Sequence, residues 1–294
     1  ILLKTVKGFC CLMQEIKNGI DRTHLIIYMY RITVLMGIYN CAATLSEALD
    51  SLINQTYKSF KIILCDDGSS DNTYQIAKRY ADKYDNIILI KNERNMKLAA
   101  TLNHCLKYAD TEYIARMDGD DISLPTRFEK EINFLDAHPE YALVSCPMIH
   151  FDEKGEWKRG KAIEKPTKES FRIASPFCHA PVMIRTSVLK AVDGYTVALK
   201  TERMEDYYLW YKIYKAGYIG YNLQEHYYKM RDDKNAIARR HIADRLRGFS
   251  TDLEITKGLG LSFYWFYPML HLCKILIPQF MVPFLRKLKE KIQL

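Results

Sequence analysis

Three carboxylates fall within four positions in Asp118-Gly119-Asp120-Asp121, directly behind the run Tyr113-Ile114-Ala115-Arg116-Met117. Like charges at that spacing repel, so the cluster is costly unless a cation or hydrogen-bond donors sit among the oxygens. Hard oxygen ligands suit Mg²⁺ or Mn²⁺, and such an ion keeps part of its water and takes further ligands from substrate phosphates. A solvated Asp-Gly turn is the plain reading of the same residues. A second polar stretch, Asp66-Asp67-Gly68-Ser69-Ser70-Asp71-Asn72-Thr73, follows the apolar run that ends at Cys65. A carboxylate there can accept the imide N–H of a uracil or thymine ring. Tyr39, in Gly37-Ile38-Tyr39-Asn40, offers a face on which the ring can stack. Asp71 reads as a helix N-cap.

Such groups act together only if the chain brings them to one edge. From Arg31 to about Cys146, β-rich apolar runs alternate with helical patterns. Ile32–Met36 is a strand, and Thr44 with Glu47 predicts a capping box before Leu45, Ala48, Leu49, Leu52 and Ile53 at helical spacing. Phe60–Cys65 reads as a strand covered on both faces. A helix carrying Ile76, Ala77 and Tyr80, strand Ile87–Ile90, a helix from Leu98 to Tyr108 and strand Glu112–Met117 follow. Pro125 opens a helix with Phe128, Ile132 and Leu135, ahead of strand Tyr141–Cys146. This order predicts an α/β fold, a Rossmann-like, mainly parallel sheet flanked by helices, with ligands at the C-terminal ends of the strands. Beyond residue 147 the pattern loosens. Phe151–Trp157 reads as a hairpin with a Gly turn, Pro181–Arg185 as a short strand, and Asp206–Ala216 as a helix.

A chain of 294 residues can bury a large core, and 48% hydrophobic with 27% charged residues reads as globular. The net charge of +8, from 43 Lys+Arg against 35 Asp+Glu, points to an anionic partner. Nucleotide phosphate or an acidic membrane surface suits it; no nucleic-acid-binding motif is present, so nucleic acid is not expected. The eight cysteines form no CxxC pair and several sit in apolar runs, as buried thiols of a reducing compartment do. A zinc site is not expected.

The stretches Ile32–Asn40, Asp66–Thr73, Asp118–Asp121 with Pro125, and Glu205-Asp206 resemble, in order and spacing, glycosyltransferase family 2 of the GT-A fold over residues 30–235. The resemblance implies an inverting, metal-dependent transferase acting on a nucleotide-sugar, with UDP the expected nucleotide. Carried over residue by residue, it implies that Asp67 binds the base, Asp118 the ribose or sugar, and Asp120 the Mn²⁺ or Mg²⁺ on the diphosphate. Asp206 is implied as general base, with Glu205 the alternative. Tyr39, Asn40, Arg94, Asn95 and Asn103 fall in nucleotide-pocket segments, and His179 in a loop facing the acceptor. Arg231, Arg239 and Arg240 are either a diphosphate clamp or a solvated face, and Trp157 either core or acceptor wall. Gly37 and Lys97 depart from the pattern, Lys97 standing where Gly is frequent. Asp232 and Asp233 stand where some relatives place a histidine.

The expected domains are an N-terminal extension (1–28), the transferase domain (29–235) and an apolar, basic helical tail (236–294). The native start is expected at Met29. Within the tail, Leu259–Phe284 is apolar and aromatic but broken by Pro268, Pro278 and Pro283, then followed by Arg286, Lys287, Lys289 and Lys291. That composition suits a kinked interfacial segment on anionic headgroups better than a spanning helix, the alternative being packing on the catalytic domain. The expectation is a cytoplasmic enzyme, peripheral at the inner face of the membrane, extending a glycan or lipid-linked glycan of a cell-surface polysaccharide. The rivals are a non-catalytic nucleotide-sugar-binding relative and a nucleotidyltransferase. The latter's Gly-rich basic loop is not found in Tyr39–Ala43.

Overall fold

The computed structural model describes residues 30–232 and 242–273. The expected extension 1–28, Cys10, Cys11, Asp233, Arg239, Arg240 and the stretch 274–294 lie outside the described residues. In chain order the elements are β1 (Ile32–Ile38), α1 (Leu45–Ile53), β2 (Phe60–Asp66), α2 (Thr73–Lys83), β3 (Ile87–Lys91), α3 (Leu98–Leu106), β4 (Tyr113–Arg116) and β5 (Ile122–Ser123). There follow α4 (Arg127–Ala137), β6 (Tyr141–Ser145), β7 (Ile149–Asp152), β8 (Gly155–Arg159), β9 (Met183–Arg185), α5 (Thr186–Ala191), α6 (Glu205–Lys215), β10 (Ile219–Asn222), β11 (Tyr228–Arg231), α7 (Ile242–Gly258) and α8 (Phe266–Cys273).

Seven strands form the main sheet in the order β10-β6-β9-β4-β1-β2-β3. The β1–β2, β1–β4, β2–β3 and β6–β10 pairs are parallel, as the alternating pattern predicts. The short strand foreseen at Pro181–Arg185 is β9, and it runs antiparallel between β4 and β6. Side chains along β1 and β2 divide between two cores: Val34, Met36, Ile62 and Leu64 on one face, Leu35, Ile63 and Cys65 on the other. Both faces being covered by helices explains why these strands read as unbroken apolar runs rather than alternating ones. On the second face Trp210 of α6 is fully buried, which pins that helix to the sheet. Among the described cysteines, Cys65, Cys105 and Cys146 are buried and all five are free thiols.

A second, four-stranded sheet, β5-β11-β7-β8, lies beside the acidic cluster. Its β7–β8 pair is the foreseen hairpin, turning at Gly155 with φ +111. Behind the cluster, Arg127 and Glu131 of α4 form a fully buried ion pair at 2.9 Å, and Arg127 Nη2 donates to the Arg116 carbonyl at 3.0 Å. Burial pushes the Glu131 carboxyl up to about 7, although the Arg127 charge acts in the opposite direction.

The capping box expected of Thr44 and Glu47 does not form. The Thr44 hydroxyl donates instead to the Gly119 carbonyl at 3.0 Å, and Glu47 pairs with Arg231. Both groups are drawn from local capping to the acidic loop, whose backbone needs partners. Asp71 acts from one residue before the N-cap Asn72, its carboxylate accepting the N–H groups of Thr73 at 3.0 Å and Ala42 at 3.2 Å.

Candidate active site

β1 lies between β2 and β4, all three parallel, so their C-terminal ends deliver Tyr39, Asp67 and Asp118 to one edge of the sheet. Adjacent strands are about 4.8 Å apart, which sets Asp67 and Asp118 roughly two strand spacings from each other.

Asp67 is buried, and its carboxylate receives Asn92 Nδ2 at 2.7 Å and the backbone N–H groups of Met96 at 2.8 Å and Lys97 at 3.0 Å. A carboxylate has about four acceptor sites, so one remains. The grip holds the 92–97 loop so tightly that Lys97 takes φ +70 and ψ 162, a region that otherwise belongs almost wholly to glycine. The missing glycine at this position is therefore a departure in residue type and not in backbone shape. Gly68, at φ +74, lies under the Arg94 backbone, where an added Cβ would come within 2.9 Å.

In the acidic loop each carboxylate has a different setting. Arg116, almost fully buried, grips Asp118 with both guanidinium arms. The Asp118 charge and the phenols of Tyr228 and Tyr195 raise the Arg116 pKa despite burial, which alone would lower it. The Asp118 N–H donates to the Tyr228 hydroxyl at 3.2 Å. Asp120 is exposed, yet its carboxyl is raised above the usual range by desolvation and then by the Asp118 charge. Asp121 is buried, accepts the Arg231 N–H at 2.8 Å on Oδ1, and keeps Oδ2 without a hydrogen-bond partner. Burial, then the charges of Asp118 and Asp120, push it up to about 8. Arg231 closes the loop from β11, its Nε donating to the Asp120 carbonyl at 3.0 Å.

On the far side of the cleft, α6 opens with Glu205 and Asp206 in its first turn, its N-cap being Met204 with no side-chain capping bond. Both carboxylates are half-buried. Desolvation and then the Asp206 charge raise the Glu205 carboxyl. Tyr195 links this helix to the strand ends: its buried hydroxyl feels Arg116, Asp206, Glu205 and Asp118 and bonds His179 Nε2 at 2.8 Å. His179 packs against Tyr195 and Trp210 and is driven well below its ordinary pKa by burial and by Arg116, so it is neutral.

A cavity of about 650 Å³ opens here, walled by Tyr39, Asp67, the 95–101 stretch, Thr196–Leu199 and Glu205. Tyr39 is 48% exposed, with its ring free to face a ligand.

The family model for glycosyl transferase family 2 matches residues 33–192. The chain belongs to that family. EpsE of Bacillus subtilis (strain 168), named as a glycosyltransferase, is 47% identical over 213 residues, 71% of this chain and 76% of EpsE. A UDP-Glc:α-D-GlcNAc-diphosphoundecaprenol β-1,3-glucosyltransferase of Escherichia coli, WfaP, is 28% identical over 236 residues, 80% of this chain and 88% of WfaP. Among solved structures, S. aureus TarS residues 1–349 in complex with UDP-GlcNAc superposes with a TM-score of 0.65 at 21% identity, covering 84% of this chain and 71% of that one. The fold is thus GT-A, and the protein is a glycosyltransferase rather than a nucleotidyltransferase.

As a family 2 member, the chain divides its foreseen site residues into two groups. Tyr39, Asp67, Asn95 and Glu205 wall the cavity, whereas Asp118 and Asp120 stand at the neighbouring strand end. Asn40 is engaged within the protein: its Oδ1 accepts the Ser70 N–H at 2.9 Å. Asn103 brackets Tyr195, donating to its carbonyl at 2.7 Å and accepting its N–H at 2.8 Å, and so shapes the site from behind. Arg94 is exposed beside the loop and is not part of the cavity wall. Trp157 lies in the second sheet, donating to the Asp232 carbonyl at 3.2 Å, with its ring tilted against that of His150. The sequence reading missed Arg116, Tyr195 and Tyr228. Only Arg116 carried a signal, as a cation inside an apolar strand two residues before the acidic loop.

Proposed function

We propose that the chain is an inverting transferase that moves a sugar from a nucleotide-sugar, with UDP as nucleotide, to a glycan or lipid-linked glycan acceptor in polysaccharide synthesis. The observation that carries this reading is that Asp67 and Glu205 wall one cavity while Asp118 and Asp120 stand at the neighbouring strand end, with Tyr195 within electrostatic reach of Asp118, Glu205 and Asp206. TarS, bound to UDP-GlcNAc, and WfaP, named for UDP-Glc and a diphosphoundecaprenol-linked acceptor, are in keeping with it.

A divalent ion, Mn²⁺ or Mg²⁺, fits the acidic loop. Asp120 is exposed, Asp121 Oδ2 has no hydrogen-bond partner, and both carboxyls are raised first by desolvation and then by the neighbouring carboxylates. Among the described residues no three His, Cys, Asp or Glu side chains gather as a metal-ligand group. Asp120 would therefore share the ion with phosphate oxygens and water, as is usual for Mg²⁺ in nucleotide enzymes. When bound, the ion would supply Lewis-acid neutralisation of the departing diphosphate.

The protein's own groups divide the remaining work. The spare acceptor site of Asp67 takes the imide N–H of the base while Tyr39 stacks on it. Asp118, fixed by Arg116, accepts a hydroxyl of ribose or sugar. Asp206 removes the proton of the acceptor hydroxyl as that oxygen attacks the anomeric carbon opposite the leaving group. Glu205 is a second reading for the base, favoured by its place in the cavity wall and its raised carboxyl. His179, neutral and bonded to Tyr195, orients the acceptor side.

We also place the enzyme at the inner face of the membrane as a peripheral protein. No helix among the described residues is long and apolar enough to cross a membrane. Phe263, Trp265, Phe266 and Met269, before and within α8, are exposed, and aromatic surface of this kind suits the headgroup layer.

A thermal-shift screen of nucleoside diphosphates and nucleotide-sugars, with and without Mn²⁺, tests the donor assignment. UDP compounds should raise the melting temperature in an ion-dependent manner, and a flat response to every nucleotide contradicts the reading.

A further inference from the structure

A second cavity, of about 620 Å³, adjoins the first, with Thr196 and Val197 bordering both. Its lining includes three lysines, Lys107, Lys190 and Lys212, against one acidic residue, Asp193. The two cavities lie along the same pair of helices. On α6, Glu205 borders the first and Lys212 the second. Seven residues bring a helix back to nearly the same face, about 10.5 Å further along. On α3, Ala100 borders the first, while Asn103, three positions on, and Lys107, at the helix's C-cap, border the second. The bridge between them is the 195–197 stretch, which Asn103 holds by the backbone of Tyr195.

We propose that this lysine-lined cavity binds the phosphate or diphosphate ester of the acceptor, while the acceptor's sugar lies over the Glu205-Asp206 pair. A pyranose ring spans roughly 5 Å, so one or two sugars bridge the roughly 10 Å between the two ends of that α6 face. Lys190 Nζ donates to the Ala109 carbonyl at 2.9 Å and Lys212 Nζ to the Asp193 carbonyl at 3.3 Å. Each ammonium has three donors, so both retain capacity for an anion. Burial also lowers the Lys212 pKa, a cost that a bound anion would offset. The assignment rests on the transferase reading above and extends it to the anionic end of the acceptor.

The test titrates geranyl diphosphate, inorganic pyrophosphate and geraniol into the full chain in the presence of EDTA, which keeps ion-dependent binding at Asp120 out of the measurement. Wild type should bind geranyl diphosphate and not geraniol. Equal binding of pyrophosphate attributes recognition to the phosphates alone, and weaker binding adds a contribution from the lipid; both support the site. Lys107→Gln with Lys212→Gln should weaken binding about tenfold or more. Since Lys212 is half-buried, Lys107→Glu alone, at an exposed position, gives a second reading, with an expected loss of several-fold. Unchanged diphosphate affinity in both variants, or equal binding of geraniol, overturns the proposal. UDP affinity with Mn²⁺, measured in parallel, should be the same in the variants and wild type. Its absence in wild type would sink the transferase reading instead.

Discussion

The two walls of the cleft are built differently. On the strand-end wall the carboxylates proposed to bind the donor are already held by short contacts from neighbouring segments: Asp67 by Asn92 and two backbone N–H groups, Asp118 by both arms of Arg116. The opposite wall, from Asp193 to Asp206, is held from outside. Thr251 of α7 donates to the Lys200 carbonyl at 2.8 Å, and Glu254 joins Lys200 to Tyr208 of α6, each at 2.6 Å. Two non-glycine residues in this stretch, Asp193 and Arg203, have positive φ. A donor of fixed shape suits the pre-set wall. An acceptor that must enter and leave suits a wall whose Lys200–Glu254 ion pair lies at the surface and contributes little by itself.

If this contrast is right, damage to the acceptor wall should remove turnover and spare donor binding. The largest effect is expected for Asp206→Asn: kcat should fall by about 10²–10⁴, the usual worth of a general base, with donor KM unchanged. Glu205→Gln should cost less than about tenfold, and the reverse ranking would transfer the role of base to Glu205. On the strand-end wall, Arg116→Met leaves Asp118 without its partner. It should cost about 3 kcal/mol in denaturant unfolding and weaken donor binding as well. A loss of activity with full stability would show that Arg116 serves the chemistry rather than the frame.

Behind that wall, the raised carboxyl of Glu131 makes stability depend on pH. The folded state keeps the proton up to about 7, whereas the unfolded chain releases it near 4.5. Stability from this group is therefore fully present below about 4.5 and is lost as pH rises through 7, by roughly 3 kcal/mol. Urea midpoints measured from pH 5 to 8 should fall in wild type and flatten in Glu131→Gln. The smallest effect is expected at Lys97, where glycine relieves the strained backbone. Lys97→Gly should stabilise by about 1 kcal/mol, a gain reduced by glycine's greater freedom in the unfolded chain.

The strand-end wall was legible in the sequence because β1, β2 and β4 are local apolar runs that end in the residues of interest. Parallel pairing then carries Tyr39, Asp67 and Asp118 together without further information. The opposite wall was legible only at Glu205-Asp206. Tyr195 enters the site through contacts to Asn103 and His179, separated from it by 92 and 16 positions, and no periodicity reports such contacts. Thr44 shows the same limit in reverse. Its spacing to Glu47 is that of a capping box, but the acidic loop, 75 positions away, competes for the hydroxyl and prevails. The antiparallel direction of β9 was likewise hidden, since a three-residue strand has the same pattern in either sense.

The most direct test is a crystal of the protein soaked with UDP and Mn²⁺, using anomalous scattering to locate the ion. A manganese peak is expected at coordination distance, about 2.2 Å, from an Asp120 oxygen, with the diphosphate on its other side and the uracil against Tyr39 and Asp67. A manganese ion and nucleotide bound away from Asp120 and Asp67 would contradict it.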